Sequence, residues 1–167
     1  MNYKKAFWSL IVIAVLVVAG IVLLNNKTAN KNQSSSTTPT SQQGTSLDYS
    51  GQSLTQFPKA ILSKTNTTSL NLSNNNLTGA LPAEIRQLSN LETLDVSNNK
   101  MTGIPAEIGQ LKHLQTLNYA NNQITGLPME LGNLTQLQTL DLSGNPNVSQ
   151  QDLAKIRAKL TNTDIKL

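Results

Sequence analysis

The strongest constraint on this chain is an asparagine that recurs at a nearly fixed interval within the same frame of leucines. It stands at Asn75, Asn99, Asn122 and Asn145. From Leu91 the unit reads LETLDVSNNKMTGIPAEIGQLKH, and from Leu114 it reads LQTLNYANNQITGLPMELGNLTQ. An earlier copy begins at Thr67, a degenerate copy precedes that one, and another opens at Leu137. Self-similarity at this period predicts an array of about five stacked repeats.

Within each unit, two apolar residues stand two positions apart with a polar residue between them. Leu94 and Val96 flank Asp95, and in an extended segment this spacing turns the apolar side chains to one face and the aspartate to the other. One such strand cannot bury its apolar face alone, but stacked units merge these faces into one core. Each unit therefore predicts a short strand and, after it, a short helical stretch with a proline in its first turn. These prolines are Pro82, Pro105 and Pro128.

The recurrent asparagine has a structural role in this interpretation. Its amide offers two donors and an acceptor at the bend after the strand, where backbone groups turn inward and would otherwise be buried unpaired. The sequence therefore predicts a structural ladder of side chains inside the array. Its members are Asn75, Asn99, Asn122 and Asn145.

The pattern L-x-x-L-x-L-x-x-N-x-L resembles the leucine-rich repeat family over roughly residues 44 to 167. The continuation MTGIP or ITGLP, followed by EI or EL and by GQL or GNL, is similar to plant-type and short bacterial repeats of 23–24 residues. The resemblance implies an α/β solenoid, a right-handed superhelix with short parallel strands on its concave face and short helical or 3₁₀ turns on its convex face. Three departures affect local packing: Thr67 and Tyr119 replace leucines, and two units lack one residue between glycine and proline.

Both ends of such an array expose core edges and need caps. After the last unit, Ser149 can cap a helix over residues 149–160, in which Leu153, Ile156 and Leu160 form one apolar stripe. Residues 163–167 predict a closing strand-like tail. At the other end, the degenerate unit over residues 46–58 and the AILSK segment after it are interpreted as the N-terminal cap.

A second feature is the run of 19 uncharged, mostly apolar residues from Ala6 to Leu24. As a helix it would span about 28 Å, close to the hydrocarbon thickness of a bilayer. The alternative is a signal peptide cleaved near Ala19, but the run continues past this point and exceeds the roughly 7–15 apolar residues of a signal peptide. We interpret residues 6–24 as an uncleaved signal-anchor. Lys4 and Lys5 before it favour a cytoplasmic N-terminus, so that the repeats would face outside.

The predicted organisation has three parts. Residues 1–24 form a cytoplasmic tip and the anchor, residues 25–45 a disordered Ser/Thr/Asn/Gln-rich linker, and residues 46–167 the repeat domain with its C-terminal cap at 146–167. The net charge of +4 comes from four lysines in residues 1–45, because basic and acidic side chains balance over the remainder. This distribution excludes a phosphate-binding surface and predicts no nucleic-acid partner.

Catalytic chemistry has little support in the sequence. The only histidine is His113, there is no cysteine, and no glycine-rich phosphate loop occurs. Asp48, Asp95 and Asp141 occupy the same strand position in alternate units. Strands about 4.8 Å apart would place these carboxylates roughly 9–10 Å from one another, too far to share a calcium ion. The sequence therefore predicts a non-enzymatic protein without a cofactor or a metal site.

The remaining candidate for function is the polar concave face. The candidate ligand-binding residues are Asp48, Asn71, Glu92, Thr93, Asp95, Gln115, Asn118, Gln138 and Asp141. The resemblance implies a protein partner on this face. Since the face has no aromatic or arginine anchor, we expect a weak or avidity-dependent contact. The predicted function is that of a monomeric, membrane-tethered interaction module outside the cell. The alternatives are a secreted effector or adhesin, and a structural surface protein without a specific ligand.

Overall fold

The computed structural model describes residues 44–167. The predicted anchor at residues 6–24 and nearly all of the predicted linker lie outside this range. The first strand of the described range begins at Thr45. Within the described range, no helix combines the length and the apolar character needed to cross a membrane.

Within residues 44–167, the strands of the repeats form one parallel sheet of six strands and a second, smaller sheet. The strands are β1 (Thr45–Asp48), β2 (Thr67–Asn71), β3 (Thr78–Gly79), β4 (Thr93–Asp95), β5 (Lys100–Met101), β6 (Thr116–Asn118), β7 (Thr139–Asp141) and β8 (Asp164–Lys166). The large sheet has the order β1-β2-β4-β6-β7-β8, and β3 pairs with β5. One strand per unit in parallel stacking confirms the predicted α/β solenoid. The small sheet was not predicted.

Among the described residues, four 3₁₀ helices of five residues each form the back of the solenoid. They are Lys59–Ser63, Ala83–Gln87, Ala106–Gln110 and Met129–Asn133. The prolines stand one position earlier than predicted, because each occupies the cap before the helix and not its first turn. At Pro82 the backbone is extended, and its carbonyl accepts a hydrogen bond from the Ile85 N–H at 3.0 Å. The missing proline N–H is equally harmless at this position.

The core is a stack of aligned leucine rows. Leu70, Leu94, Leu117 and Leu140 face one another across β2, β4, β6 and β7, and each is fully buried. The departures from the repeat pattern change only local contacts. Thr67 is fully buried, and its hydroxyl donates to the Lys64 carbonyl at 2.6 Å. Burial raises the pKa of the Tyr119 hydroxyl, which has no hydrogen-bond partner among the described residues.

Both predicted caps are present. Helix α1 (Gln150–Arg157) begins after Ser149, whose side chain accepts a hydrogen bond from the Asp152 N–H at 3.2 Å. The helix ends three residues before the predicted limit, although Leu160 is also buried against the core. The tail pairs with β7 as the strand β8. At the N-terminal end, β1 and the fully buried Ile61 close the array.

Adjacent 3₁₀ helices approach so closely at Gly109 that we expect Gly109→Ala to lower the free energy of unfolding by about 1–3 kcal/mol. An added Cβ would overlap the backbone of Glu130, with the carbonyl carbon only 2.7 Å away. The matched control is Gly132→Ala, whose Cβ would meet only the side chain of Lys159. That flexible chain can move aside, so the control should lose much less. Equal shifts of the two urea midpoints would contradict the close backbone packing.

Candidate functional site

The interior turn after each strand is held by the asparagine ladder. The Asn99 Oδ1 accepts from the Leu77 N–H at 2.9 Å, and its Nδ2 donates to the carbonyls of Leu72 at 3.0 Å and Val96 at 3.1 Å. Leu77 and Leu72 belong to the preceding unit, so one amide joins two units. Equivalent bonds are made by Asn75, Asn122 and Asn145. These buried side chains lie inside the turn and not on the concave surface.

The concave face carries one continuous row of carboxylate and amide side chains. In the strand register, the row is Asp48, Asn71, Asp95, Asn118 and Asp141. Asp48 is exposed and the other four are half-buried. The Asn118 Nδ2 donates to the Asp95 Oδ2 at 3.1 Å, so these two neighbouring members of the row contact each other. Beside the row, Glu92 and Gln138 are exposed, while Thr93 and Gln115 are half-buried.

Every member of this row also stabilises its own turn, which sequence reasoning missed. The side-chain Oδ1 accepts from the backbone N–H two residues later, at 2.9 Å for Asp48, 3.0 Å for Asn71, 2.8 Å for Asp95, 3.0 Å for Asn118 and 2.9 Å for Asp141. The signal was present in the sequence, because aspartate and asparagine favour such turns wherever a chain bends after a strand. The row is therefore partly structural, and a substitution that removes the acceptor affects folding as well as any contact.

The hydrogen bonds from the Ser50 backbone and side chain lower the pKa of the Asp48 carboxyl below its usual value of 3.8. A lowered pKa in the folded state means that the carboxylate stabilises the fold above the unfolded-state pKa. This contribution is lost as the pH falls through the lowered pKa. The carboxylate is thus ionised on the concave face at neutral pH.

The strand β8 adds a sixth rung to the concave face. Lys166 lies opposite Asp141 in the register, and Asp164 lies opposite Thr139. The sequence interpretation treated residues 163–167 only as a closing tail. Their frame, with an apolar residue between two polar ones, matches the earlier strands and could have predicted this rung. The row therefore ends in a cation, while no basic side chain occurs in it from Asp48 to Asp141.

A row of left-handed backbone positions precedes the ladder. Asn74, Asn98 and Asn121 have φ of 57°, 55° and 54°, and Gly51 and Gly144 have φ of 65° and 70°. Glycine adopts this conformation freely, and asparagine adopts it more readily than most residues with a side chain. The Asn121 Nδ2 donates to the Asn98 Oδ1 at 3.0 Å on the surface. The doubled asparagine of the repeat thus combines a backbone role with the buried ladder.

Beside the start of the strands is a shallow polar depression lined by Gly44, Asn66, Thr68, Asn90, Glu92 and His113. His113 is exposed at its rim. Within residues 44–167, no three His, Asp or Glu side chains are grouped so that they could hold a metal ion.

A parallel sheet with one strand per unit, 3₁₀ helices behind it and a buried asparagine ladder defines a leucine-rich repeat solenoid. A family model described as "Leucine-rich repeat region" matches residues 47–163. The chain belongs to the leucine-rich repeat family. Domains of this family are non-enzymatic scaffolds for protein interaction, in agreement with the predicted absence of catalytic chemistry.

Solved structures show the same fold. A leucine-rich repeat protein of Leptospira interrogans is 44% identical with a TM-score of 0.63, over 68% of this chain and 28% of that one. The plant peptide hormone receptor RGFR1 in complex with RGF2 is 29% identical with a TM-score of 0.56, over 66% of this chain and 22% of that one. The BIR3–SERK2 complex of Arabidopsis thaliana is 36% identical with a TM-score of 0.55, over 59% and 55%.

The match spans only about a quarter of the length of the first two of these proteins, by the 28% and 22% coverage. A comparison with curated protein sequences gives no match.

Proposed function

We propose that this chain is a membrane-tethered, extracytoplasmic leucine-rich repeat protein that binds a protein partner through its concave face. The apolar run at residues 6–24 supports the tether, and the polar segment at residues 25–45 supports a linker that lets the domain move near its membrane. The observation that most directly supports binding is the continuous row from Asp48 to Asp141. It is regular, solvent-facing and acidic, on a fold whose family serves as an interaction scaffold.

The chemistry of the row indicates which groups a complementary partner surface would carry. Carboxylates of Asp48, Asp95 and Asp141 alternate with the amides of Asn71 and Asn118. A complementary surface presents basic groups to the carboxylates, and hydroxyl or amide groups to the asparagines. RGFR1 and BIR3 were solved in complexes with RGF2 and SERK2, which supports a protein or peptide partner for this chain as well.

The test is to neutralise two carboxylates without removing their turn bonds. Asp95→Asn with Asp141→Asn keeps the Oδ1 acceptors for the Ser97 and Ser143 N–H groups, so the fold should be retained. We expect affinity for a captured partner to fall about two- to thirtyfold, since exposed charge pairs contribute about 0.2–1 kcal/mol each and two are removed. Added salt should weaken the wild-type contact, because it screens exposed charges with a screening length of about 8–10 Å. The measurement is calorimetry or interferometry.

Glu107→Gln on the convex side is the control, because it removes a carboxylate charge in the same way as each of the two asparagine substitutions, but outside the row. This side chain lies in the first turn of a 3₁₀ helix, away from the sheet. The affinity of the Glu107→Gln variant for the captured partner should equal that of the wild type. Loss of binding in this control, with none in the double asparagine variant, would move the site to the convex face.

The tether predicts a distinct result. The intact protein should sediment with membranes at its full mass, and protease added outside should cut within residues 25–45 and release the repeat domain. If the protein is found in the soluble fraction with the mass of a chain cleaved near Ala19, the anchor is rejected in favour of the secreted alternative.

A further inference from the structure

The strand β8 is the last strand of the large sheet, and one of its edges has no neighbour among the described residues. The backbone groups of Asp164 and Lys166 point towards β7. The Asp164 N–H donates to the Gln138 carbonyl at 2.8 Å, and the Lys166 carbonyl accepts from the Leu142 N–H at 2.9 Å. Backbone groups alternate in direction along a strand. The N–H and C=O of Ile165 therefore point away from β7 and form the open edge.

The side chains of this edge are arranged with opposite charges on either side of an apolar residue. Asp164 and Lys166 are exposed, and Ile165 is half-buried against the core. Leu167 follows with 57% of its surface exposed, and it is the one exposed large hydrophobic residue within residues 44–167. Asp164 and Lys166 both project to the concave side. If the strand is turned end to end in the plane of the sheet, each of these two charges takes the position of the other.

We propose that β8 pairs antiparallel with β8 of a second copy, around a twofold axis at Ile165. The two Ile165 residues would exchange both of their outward hydrogen bonds. Asp164 of each copy would then stand opposite Lys166 of the other, at the non-hydrogen-bonded positions where cross-strand side chains come closest. The result is a continuous twelve-stranded sheet with both concave faces on the same side.

The charge pattern selects this register. A symmetric pairing centred on Asp164 would oppose two carboxylates, and one centred on Lys166 would oppose two ammonium groups, both unfavourable. The other edge of the sheet, at β1, also has no neighbour within residues 44–167 but fits less well. The Tyr49 N–H donates to the Asn71 carbonyl, so the backbone groups of Asp48 point away from β2. A symmetric pair centred on Asp48 would oppose two aspartates. Pairing of β8 with β1 of another copy gives only one charge pair, Lys166 with Asp48. It is a head-to-tail contact that leaves a free edge at each end of the assembly instead of a closed dimer.

The expected dimer is weak in solution. Three residues of strand edge bury much less than the roughly 1,200 Å² of a stable interface. Tethering two copies in one membrane raises their effective concentration, so the pairing would matter most there. The monomer predicted from the sequence is thus in equilibrium with the proposed dimer. The competing role for charges on an edge strand is to prevent pairing altogether, and the experiment separates the two.

The chain contains no cysteine, so a single introduced cysteine reports the contact. In the proposed pair the two Ile165 Cα atoms lie about 5.5 Å apart, which suits a disulfide. Full-length Ile165→Cys in detergent micelles, under mild oxidation, should form the disulfide dimer about tenfold faster than Lys155→Cys. Lys155 is exposed on α1, and it measures collisions of copies that share a micelle.

The charges are tested in the Ile165→Cys chain. Adding Lys166→Asp would oppose like charges twice, and cross-linking should slow about fivefold or more. The exchange of both residues, Asp164→Lys with Lys166→Asp, should restore the rate because it rebuilds both pairs. Circular dichroism should show the same fold in all variants. Rates equal to those of Lys155→Cys, insensitivity to Lys166→Asp, or faster cross-linking of Ile165→Cys to Leu47→Cys, which lies on the same core-facing side of β1, than to itself would each overturn the proposal.

Discussion

Replacing Leu117 by alanine is expected to lower the free energy of unfolding by about 2–5 kcal/mol. The side chain is fully buried between Leu94 and Leu140 of the neighbouring strands. Truncation would open a cavity in the middle of the array, where units on both sides hold the backbone in place. Chemical denaturation followed by circular dichroism measures the loss.

Gln115→Ala is the control for Leu117→Ala, because it lies two residues earlier in the same unit. The side chain is half-buried on the surface, and only the backbone of Gln115 bonds to the neighbouring strands. The change should be within about 0.5 kcal/mol of the wild type. A midpoint for Gln115→Ala as low as that for Leu117→Ala would contradict the assigned inward and outward faces.

Asn99→Ala is expected to cost about 1–3 kcal/mol, because it leaves buried backbone groups unpaired. The Leu77 N–H loses its acceptor, and the carbonyls of Leu72 and Val96 lose a shared donor. Asn99→Asp should not rescue the fold, since a carboxylate cannot donate to the two carbonyls. The same denaturation experiment applies.

The control for the ladder is Asn90→Ala on the surface. Asn90 makes one exposed hydrogen bond, to the Thr65 carbonyl at 3.0 Å. Water can replace this partner, so the loss should stay below that of Asn99→Ala. If the two variants unfold at the same midpoint, the buried amide has no special role in joining the units.

The strands and the ladder were predictable because each follows from a short spacing in the sequence. Leu94 and Val96 two positions apart fix the inner face, and the interval between Asn99 and Asn122 fixes the stacking. The anchor at residues 6–24 and the nine concave binding residues stay predictions. Their chemistry depends on a membrane and a partner that the chain alone does not contain.

The features that escaped prediction depend on contacts between units. The pairing of β3 with β5 involves two residues from each strand, too few for a sequence pattern. The need for glycine at position 109 arises from the distance to Glu130 in the next unit, and Arg86 at the equivalent earlier position gives no hint of it. The turn bond of Asp95 follows from the preference of aspartate for turns after a strand, whereas the outward strand position of the same residue indicates ligand binding.

The ladder bonds between units also determine how the domain folds as it grows. They join residues only 21 to 27 positions apart, wherever in the array they occur. The entropy lost on closing a loop depends on its length, so each unit closes a loop of the same size and at the same entropic cost. Stability therefore accumulates nearly in proportion to the number of units. A gene duplication of one whole unit would lengthen the concave strip without requiring a new solution for the core.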